Sequence, residues 1–517
     1  MFPGLKRIIA IVMLATIMVF PTLYCCGADN AASAPYCIAV TFNGDVHSCR
    51  GFTWYTDEEC SSDLLLAEAN RSGVNGFSGA RLYQGTSSRM QRYSGRNAIP
   101  KEVSMHRITL TDLKPDSSYI YKVGDARLGI WSEQGTFHTA ARDDALSFII
   151  VADSQGEDEQ DFRQGAQTLN MAMTLMYEAD FLVHMGDFVQ SYSSENSREN
   201  FEEWQQFFAT ARKEVMSTTL LPVAGNHDMT QGVFAGHFAL DKLMPAGIPA
   251  DTGACYALNC ENACFMVLNT NEGYQDGDGS ISEEQVKWLE STSNLADKQG
   301  IKWKILLLHR GIYSFGRHMD SEDIIALRSQ LAPVISELGI DLVLQGHDHV
   351  YMRSQVLAKS PNGDVAPVTE KIELVSQTYH GETVNFAINP PGTTYITPNL
   401  SGNQFGFKKR SHTVQVYPEA EYEPDNNHEP VFAGIIIDGN RLIYKAYAYN
   451  REGDGQVKEI DCYAILKDEQ AGVGQQGIYE QQYLNTIAGI VETAVEIGLS
   501  GLMPAGWFLN RLYPYSR

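Results

Sequence analysis

The stretch Phe148–Gln155, FIIVADSQ, is an apolar run that closes on short polar residues, and its reading decides the fold because four other stretches repeat its form. These are Phe181–Asp187 (FLVHMGD), Leu220–Asp228 (LLPVAGNHD), Ile305–His309 (ILLLH) and Leu342–His349 (LVLQGHDH). Each run has the length and composition of a buried strand, and each polar cluster falls where that strand gives way to a loop. Loops at one edge of an open α/β sheet converge while the strands beneath hold them rigidly, so such clusters assemble into a common site. One strand-end carboxylate is commonly a turn or cap residue, and one histidine on an apolar run is usually a satisfied core residue. His184, inside FLVHMGD, is read in that second way. Coincidence at all five loops is a different matter.

The clusters carry the carboxylates Asp153, Asp187 and Asp228, the amides Gln155 and Asn226, and the imidazoles His227, His309, His347 and His349. Oxygen and nitrogen donors of this kind suit borderline to hard divalent or trivalent metals. The pattern implies a dinuclear metal hydrolase. GNHD and GHDH, each following a strand, are the specific signals; Gly-Asp alone occurs in many turns.

Around this frame the pattern changes three times. Residues 1–34 hold Lys6 and Arg7, an apolar run Ile8–Leu23 and small residues at Gly27, Ala28 and Ala31–Ala34, the order of a secretory signal peptide. The expected location is therefore secreted or extracytoplasmic, with a membrane anchor as the alternative. A lipid anchor at Cys25 or Cys26 fits poorly with Leu23 and Tyr24 before it. Residues 35–141 show short alternating segments such as RGFTWYT and YIYKVGD, the signature of an all-β sandwich. Residues 142–467 alternate strand runs with amphipathic stretches, with helices expected at Arg163–Ala179, Glu199–Lys213, Ser282–Lys298 and Asp320–Leu338. Ser282 and Gln285 form a capping box, and Gly300 and Gly339 stand where helix ends favour a left-handed residue. Residues 468–517 begin with the linker AGVGQQG and continue into an apolar stretch, Tyr483–Leu509. Glu492 and Glu496 within it disfavour a membrane span and favour a docked or partner-binding helix.

The formal net charge of -24 argues against nucleic-acid and anionic-membrane partners, because such a surface repels phosphate backbones and acidic headgroups. A phosphate ester substrate then needs locally bound metal to draw it in. Seven of the nine cysteines lie beyond the leader; export favours disulfides within the Cys37/Cys49/Cys60 and Cys255/Cys260/Cys264 groups. Neither group holds a CxxC pair, which argues against zinc there.

The order D-x-Q, GD, GNHD, H and GHDH is similar to that of the calcineurin-like metallophosphoesterase superfamily. With a β-sandwich in front, the chain resembles more closely its purple acid phosphatase-like branch. HRGIYSFGRH (309–318), GHDHVYMR (346–353) and TTYITPNLSGNQFG (393–406) extend the likeness over roughly Pro35–Lys467. LTDLKPDSSYIYKVGD followed by WSEQGTFHTA resembles the closing strands of a fibronectin type III-like domain.

The resemblance implies an N-terminal β-sandwich followed by a four-layer α/β/β/α metallophosphoesterase domain. It implies that Asp187 bridges two metals (Fe, Mn or Zn), with Asp153 and His349 on the first and Asn226, His309 and His347 on the second. A bridging carboxylate offsets the repulsion between cations held about 3.5–4 Å apart. His227 is cast as transition-state stabiliser or proton donor, Asp228 as the group that orients it, and His318 as a further substrate-side histidine. The implied activity is phosphomonoester hydrolysis on small molecules. Phosphodiester or nucleotide hydrolysis is the alternative, and a surface binding protein with a degenerate phosphoesterase domain is the second.

One departure stands out. The purple members carry a Tyr ligand three residues after the bridging Asp, where this chain has Gln190; Tyr192 lies two further on. Other branches carry a His two residues after the first Asp, where this chain has Gln155, either an amide-oxygen ligand or a plain hydrogen-bonding residue. Without the phenolate the preference for iron(III) weakens, and a colourless protein is expected.

Overall fold

The structure, a computed structural model, describes residues 34–468 apart from 70–75, 94–98, 157, 192–200, 230–232, 247, 249–253, 274–278, 405–419 and 423–428. The leader, Tyr192 and the C-terminal apolar stretch lie outside the described residues.

Two sheets pack face to face. The first runs through 12 strands and the second through 7, among the described residues. Trp303–Arg310, WKILLLHR, is buried at every position and shows how the layers form. Its side chains alternate with the period of two that a strand imposes. Trp303, Ile305 and Leu307 enter the core between the sheets. Leu306 and Leu308 enter the core on the opposite face, with Leu289 of the helix Glu283–Lys298 and Leu327, Leu331 and Ile335 of the helix Glu322–Glu337. The helix Glu159–Leu175 packs Phe162, Leu169 and Ala172 against the first sheet. The four-layer α/β/β/α order follows. Truncating a side chain such as Leu307 to Ala would cost about 2–5 kcal/mol.

The expected helices are present with shifted ends. Asp158 caps the first through Gln160 N and Asp161 N, which starts it at Glu159 rather than Arg163. The second is divided into Phe201–Thr210 and Arg212–Val215. Ser282 caps the third by accepting from Gln285 N at 3.4 Å, and Gly300 and Gly339 take positive φ of 73° and 59° after their helices.

The N-terminal strands do not form a separate body. Tyr36–Thr41 pairs in parallel with Thr219–Pro222 through the register Thr41↔Leu220. The strands Arg50–Thr56, Lys101–Leu110 and Thr86–Arg92 thereby extend the first sheet. A smaller sheet built on Asp63–Glu68 and Ser118–Asp125 closes over them as a sandwich around Phe52, Trp54, Leu64, Tyr121 and Phe137. The seam is polar and satisfied: the buried Arg50 guanidinium donates to Thr219 Oγ1 (2.9 Å), Val46 O (2.7 Å) and His138 O (2.8 Å).

The expected disulfides are absent among the described residues: none forms within the Cys37/Cys49/Cys60 group or the Cys255/Cys260/Cys264 group. Cys260 and Cys264 lie on the paired strands Tyr256–Cys260 and Ala263–Leu268 but face different cores, one between the sheets and the other beneath the helices, so they cannot be bridged.

Candidate active site

The five loops meet at one edge of the two sheets. Asp153 follows the strand Ala145–Val151, Asp187 follows Phe181–His184, and Asn226–Asp228 follow Thr219–Pro222. From the second sheet, His309 lies near the end of Trp303–Arg310, and His347 and His349 follow Leu342–Gly346. Asp153, Asp187 and His347 hold positive φ angles of 49°, 54° and 72°. Non-glycine residues in this region cost on the order of 1–3 kcal/mol each and cluster where a site dictates side-chain direction. The turns are also tight: a Cβ on Gly225 would lie 2.1 Å from Asp187 Oδ1.

Asp187 is the centre. Its Oδ1 accepts from His227 N at 3.0 Å, and its Oδ2 lies 3.2 Å from His309 Nε2 and 4.0 Å from His227 Nε2. His309 Nε2 is also 3.2 Å from Asn226 Oδ1, while its Nδ1 pairs with Met185 O at 2.8 Å. One nitrogen is thus anchored and the other presented. Asp187, His309 and His347 each offer a ligand atom within 4.8 Å of the others. On the other side, Asp153 Oδ1 accepts from His347 N at 3.1 Å and lies 3.5 Å from His349 Nε2, whose ring is anchored through Nδ1 to Gln404 O at 2.9 Å.

The electrostatics follow from burial and charge. Burial alone would raise the Asp187 carboxyl, but the His309 and His227 imidazoles and their hydrogen bonds hold it well below the usual carboxylate range. Burial disfavours charge on His309 too, yet Asp187, then Asp153 and the Met185 carbonyl, push it up to about 9. His347 is driven down, by burial first and then by the His318 and His309 rings and Arg310. Two buried oxygens, Asp153 Oδ2 and Gln155 Oε1, accept no hydrogen bond. Buried acceptors without donors are uncommon and costly unless a cation fills the gap. The donor set therefore fits metal ions, with a carboxylate and an imidazole at the Asp153–His349 end and an amide oxygen and an imidazole at the Asn226–His309 end.

Asp228 departs from expectation. Its carboxylate accepts from Asp187 N (2.8 Å), Phe188 N (2.9 Å) and Gly225 N (2.8 Å), so it ties two site loops together rather than orienting His227. Burial, and then the neighbouring Asp187 charge, push its carboxyl up to about 8. The His227 ring is instead set by Gln190, whose carbonyl lies 3.1 Å from Nδ1. His318 stacks on His347 with centroids 4.1 Å apart.

Several supporting residues escape a reading of the sequence. Asp348 Oδ1 lies 2.9 Å from His318 Nδ1; its place inside GHDH was the available signal. Gln345 accepts from Ile312 N (2.8 Å) and donates to Tyr313 O (2.7 Å), fixing the loop that leads to His318. Asn271 braces the GNHD loop by donating to Ala224 O at 2.8 Å.

This architecture defines a class. Residues 146–351 match the calcineurin-like phosphoesterase family, and residues 35–139 match the purple acid phosphatase N-terminal domain. The chain thus carries a calcineurin-like phosphoesterase domain behind a purple acid phosphatase N-terminal domain, and proteins similar to it are named phosphatases. It is 22% identical to a phosphoenolpyruvate phosphatase of Allium cepa, covering 69% of this chain and 68% of that one. It is 23% identical to purple acid phosphatase 1 of Ipomoea batatas, covering 70% and 71%. Among solved structures it is similar to the purple acid phosphatase PPD1 from yellow lupin seeds, with TM-score 0.61, 16% identity and coverage of 84% and 75%. It also shares its fold with PhoD, at TM-score 0.58 and 12% identity over 86% and 92%.

Proposed function

We propose that this chain is an exported phosphoesterase that hydrolyses phosphomonoesters at a two-metal centre. One observation carries the reading: donor side chains from five strand-end loops converge around Asp187 while Asp153 Oδ2 and Gln155 Oε1 stay buried without a donor. Asp153, Gln155 and His349 would hold one ion, Asn226, His309 and His347 the other, and Asp187 both. Bound metal ions supply Lewis acidity to phosphoryl oxygens and a water acidic enough to attack near neutral pH.

The remaining steps belong to the side chains. Met185 O and Gln404 O fix the tautomers of His309 and His349, turning Nε2 of each towards the carboxylates. Gln190 O does the same for His227, leaving its Nε2 near Asp187 to stabilise the phosphoryl group or hand a proton to the leaving oxygen. His318, paired with Asp348 and stacked on His347, would be a second substrate-side imidazole.

Gln190 in place of the phenolate favours Mn, Zn or Fe(II) over a stable ferric ion. Iron-loaded protein should be colourless, and a visible tyrosinate-to-iron band would overturn that point. Export is supported by the leader-like order of residues 1–34. No helix among the described residues is long and apolar enough to cross a membrane.

Metal analysis of the purified protein, followed by turnover of an aryl phosphate, phosphoenolpyruvate and a phosphodiester, tests the function. About two ions per chain and turnover abolished by chelation are expected. Neither metal nor turnover after reconstitution with Mn, Zn and Fe would favour a binding protein with a degenerate site.

A further inference from the structure

A short segment straps the Asp153 end of the site. Residues 399–404 leave the second sheet at the end of the strand Thr394–Pro398 and cross to the loop that follows Ala145–Val151 of the first. Ser401 donates to Ala152 O from both its N (2.8 Å) and its Oγ (2.7 Å), and Gly402 N donates to Asp153 O at 3.3 Å. The approach is backbone to backbone, since a Cβ on Gly402 would lie 2.9 Å from Asp153 O and 3.0 Å from the Ser154 carbonyl carbon. Two residues further on, Gln404 O lies 2.9 Å from His349 Nδ1, and His349 Nε2 is 3.5 Å from Asp153 Oδ1. The same strap therefore touches both Asp153 and His349. Asp153 holds a positive φ of 49°, a conformation that persists where the surroundings over-determine it.

One side chain clamps the strap from behind. Arg451 lies just beyond the strand Arg441–Tyr449, in the turn that leads to Val457–Leu466, and is half-buried. Its Nη1 donates to Gly402 O (3.2 Å), and its Nη2 donates to Asn403 Oδ1 (3.1 Å) and to Gln164 Oε1 (3.3 Å) on the helix Glu159–Leu175. Asn403 Nδ2 reaches the same helix at Asp161 Oδ1, 3.0 Å away. Gly402 is thus held on both sides, its carbonyl by Arg451 and its N–H against Asp153. A planar guanidinium fork reaches acceptors on two elements at once, which a compact ammonium on a flexible stem does not match.

We propose that Arg451 is a positioning residue: by clamping the 399–404 strap against the helix, it fixes Asp153 and His349 and so sets the affinity of the metal position that these two residues would form. The inference rests on the two-metal phosphoesterase reading above and deepens it. Arg451 acts through the strap and touches neither Asp153 nor His349 itself.

Calorimetric titration of the intact, metal-free chain with Mn2+ tests this, with one end of the site isolated at a time. In a His309→Asn background the remaining ion belongs to the Asp153–His349 end. Adding Arg451→Met there should weaken binding about 10- to 100-fold, the range for residues that orient a metal ligand without touching the ion. Arg451→Lys should recover part of the loss, and it carries the comparison should Arg451→Met not fold. In a His349→Asn background, where the remaining ion belongs to the Asn226–His309 end, Arg451→Met should leave the affinity unchanged. Equal weakening in both backgrounds is what a merely structural role would give; that result, or unchanged affinity in the first background, overturns the inference. Amide hydrogen exchange of the metal-free protein separates this from failure of the parent reading. If the wild-type chain takes up no Mn2+, the two-metal reading fails, and the clamp is read from residues 399–404 alone: faster exchange in Arg451→Met than in wild type supports it, and equal exchange overturns it.

Discussion

His184 and His309 each stand at the end of an apolar strand, both are buried, and both touch Gly186, yet they belong to different regions of the molecule. His184 sits on the helix side of the first sheet, stacked on Phe188 at 3.6 Å, with Nε2 against Ser154 Oγ (2.7 Å) and Nδ1 accepting from Gly186 N (3.3 Å). Its partners are neutral, and burial drives it down to about 3. His309 lies between the sheet edges with one nitrogen on a carbonyl and the other aimed at Asp187. Burial does not separate a core histidine from a ligand histidine. What separates them is whether the second nitrogen faces a neutral group or a carboxylate.

That contrast can be broken experimentally, most severely at the shared carboxylate. Asp187→Asn should reduce turnover by on the order of 10³-fold or more and empty both metal positions in metal analysis, because a neutral amide no longer screens two cations. Turnover within tenfold of wild type would mean that the bridge lies elsewhere. Next, His309→Asn should lose one metal and on the order of 10²-fold in kcat, whereas His184→Gln should keep metal stoichiometry and lower unfolding free energy by about 1–3 kcal/mol. Equal metal loss in the two variants would erase the distinction. Gly225→Ala should cost about 10–100-fold in metal affinity without removing any ligand, because its Cβ would enter the space of Asp187 Oδ1; calorimetric metal titration of the folded variant reads this directly.

The last expectation concerns pH. His184 is neutral when folded, with a folded pKa of about 3, while an unfolded histidine titrates near 6.5. The unfolded chain therefore binds the extra proton as pH falls below about 6.5. The stability from neutral His184 is complete above that pH and declines towards pH 3, by up to about 1.4 kcal/mol per pH unit. Urea unfolding of His184→Gln between pH 4 and 6.5 should give a shallower slope than wild type, and parallel slopes would mean that His184 does not carry the term.

Much of the candidate site was legible because its donor side chains follow strands. Apolar runs announce strands, strand ends announce loops, and the donors after them could be assigned in order. Less legible was whatever depends on contacts between distant loops. Asp228 adjoins His227 in sequence, but its carboxylate finds three backbone N–H groups closer to hand, two of them some forty residues away. The cysteines misled for a related reason: spacing suggested bridges, while strand alternation turned Cys260 and Cys264 to opposite cores. The shared sheet was not legible at all, because the register Thr41↔Leu220 joins residues far apart in sequence.

That register has a consequence for anyone who would cut the molecule. A chain begun after residue 140 would keep every candidate metal ligand but would leave Thr219–Pro222 as a raw strand edge, with its row of N–H and C=O groups open to the next copy. In the intact chain the N-terminal strands cover that edge. A trimmed catalytic half should precipitate at concentrations where the intact chain stays dispersed.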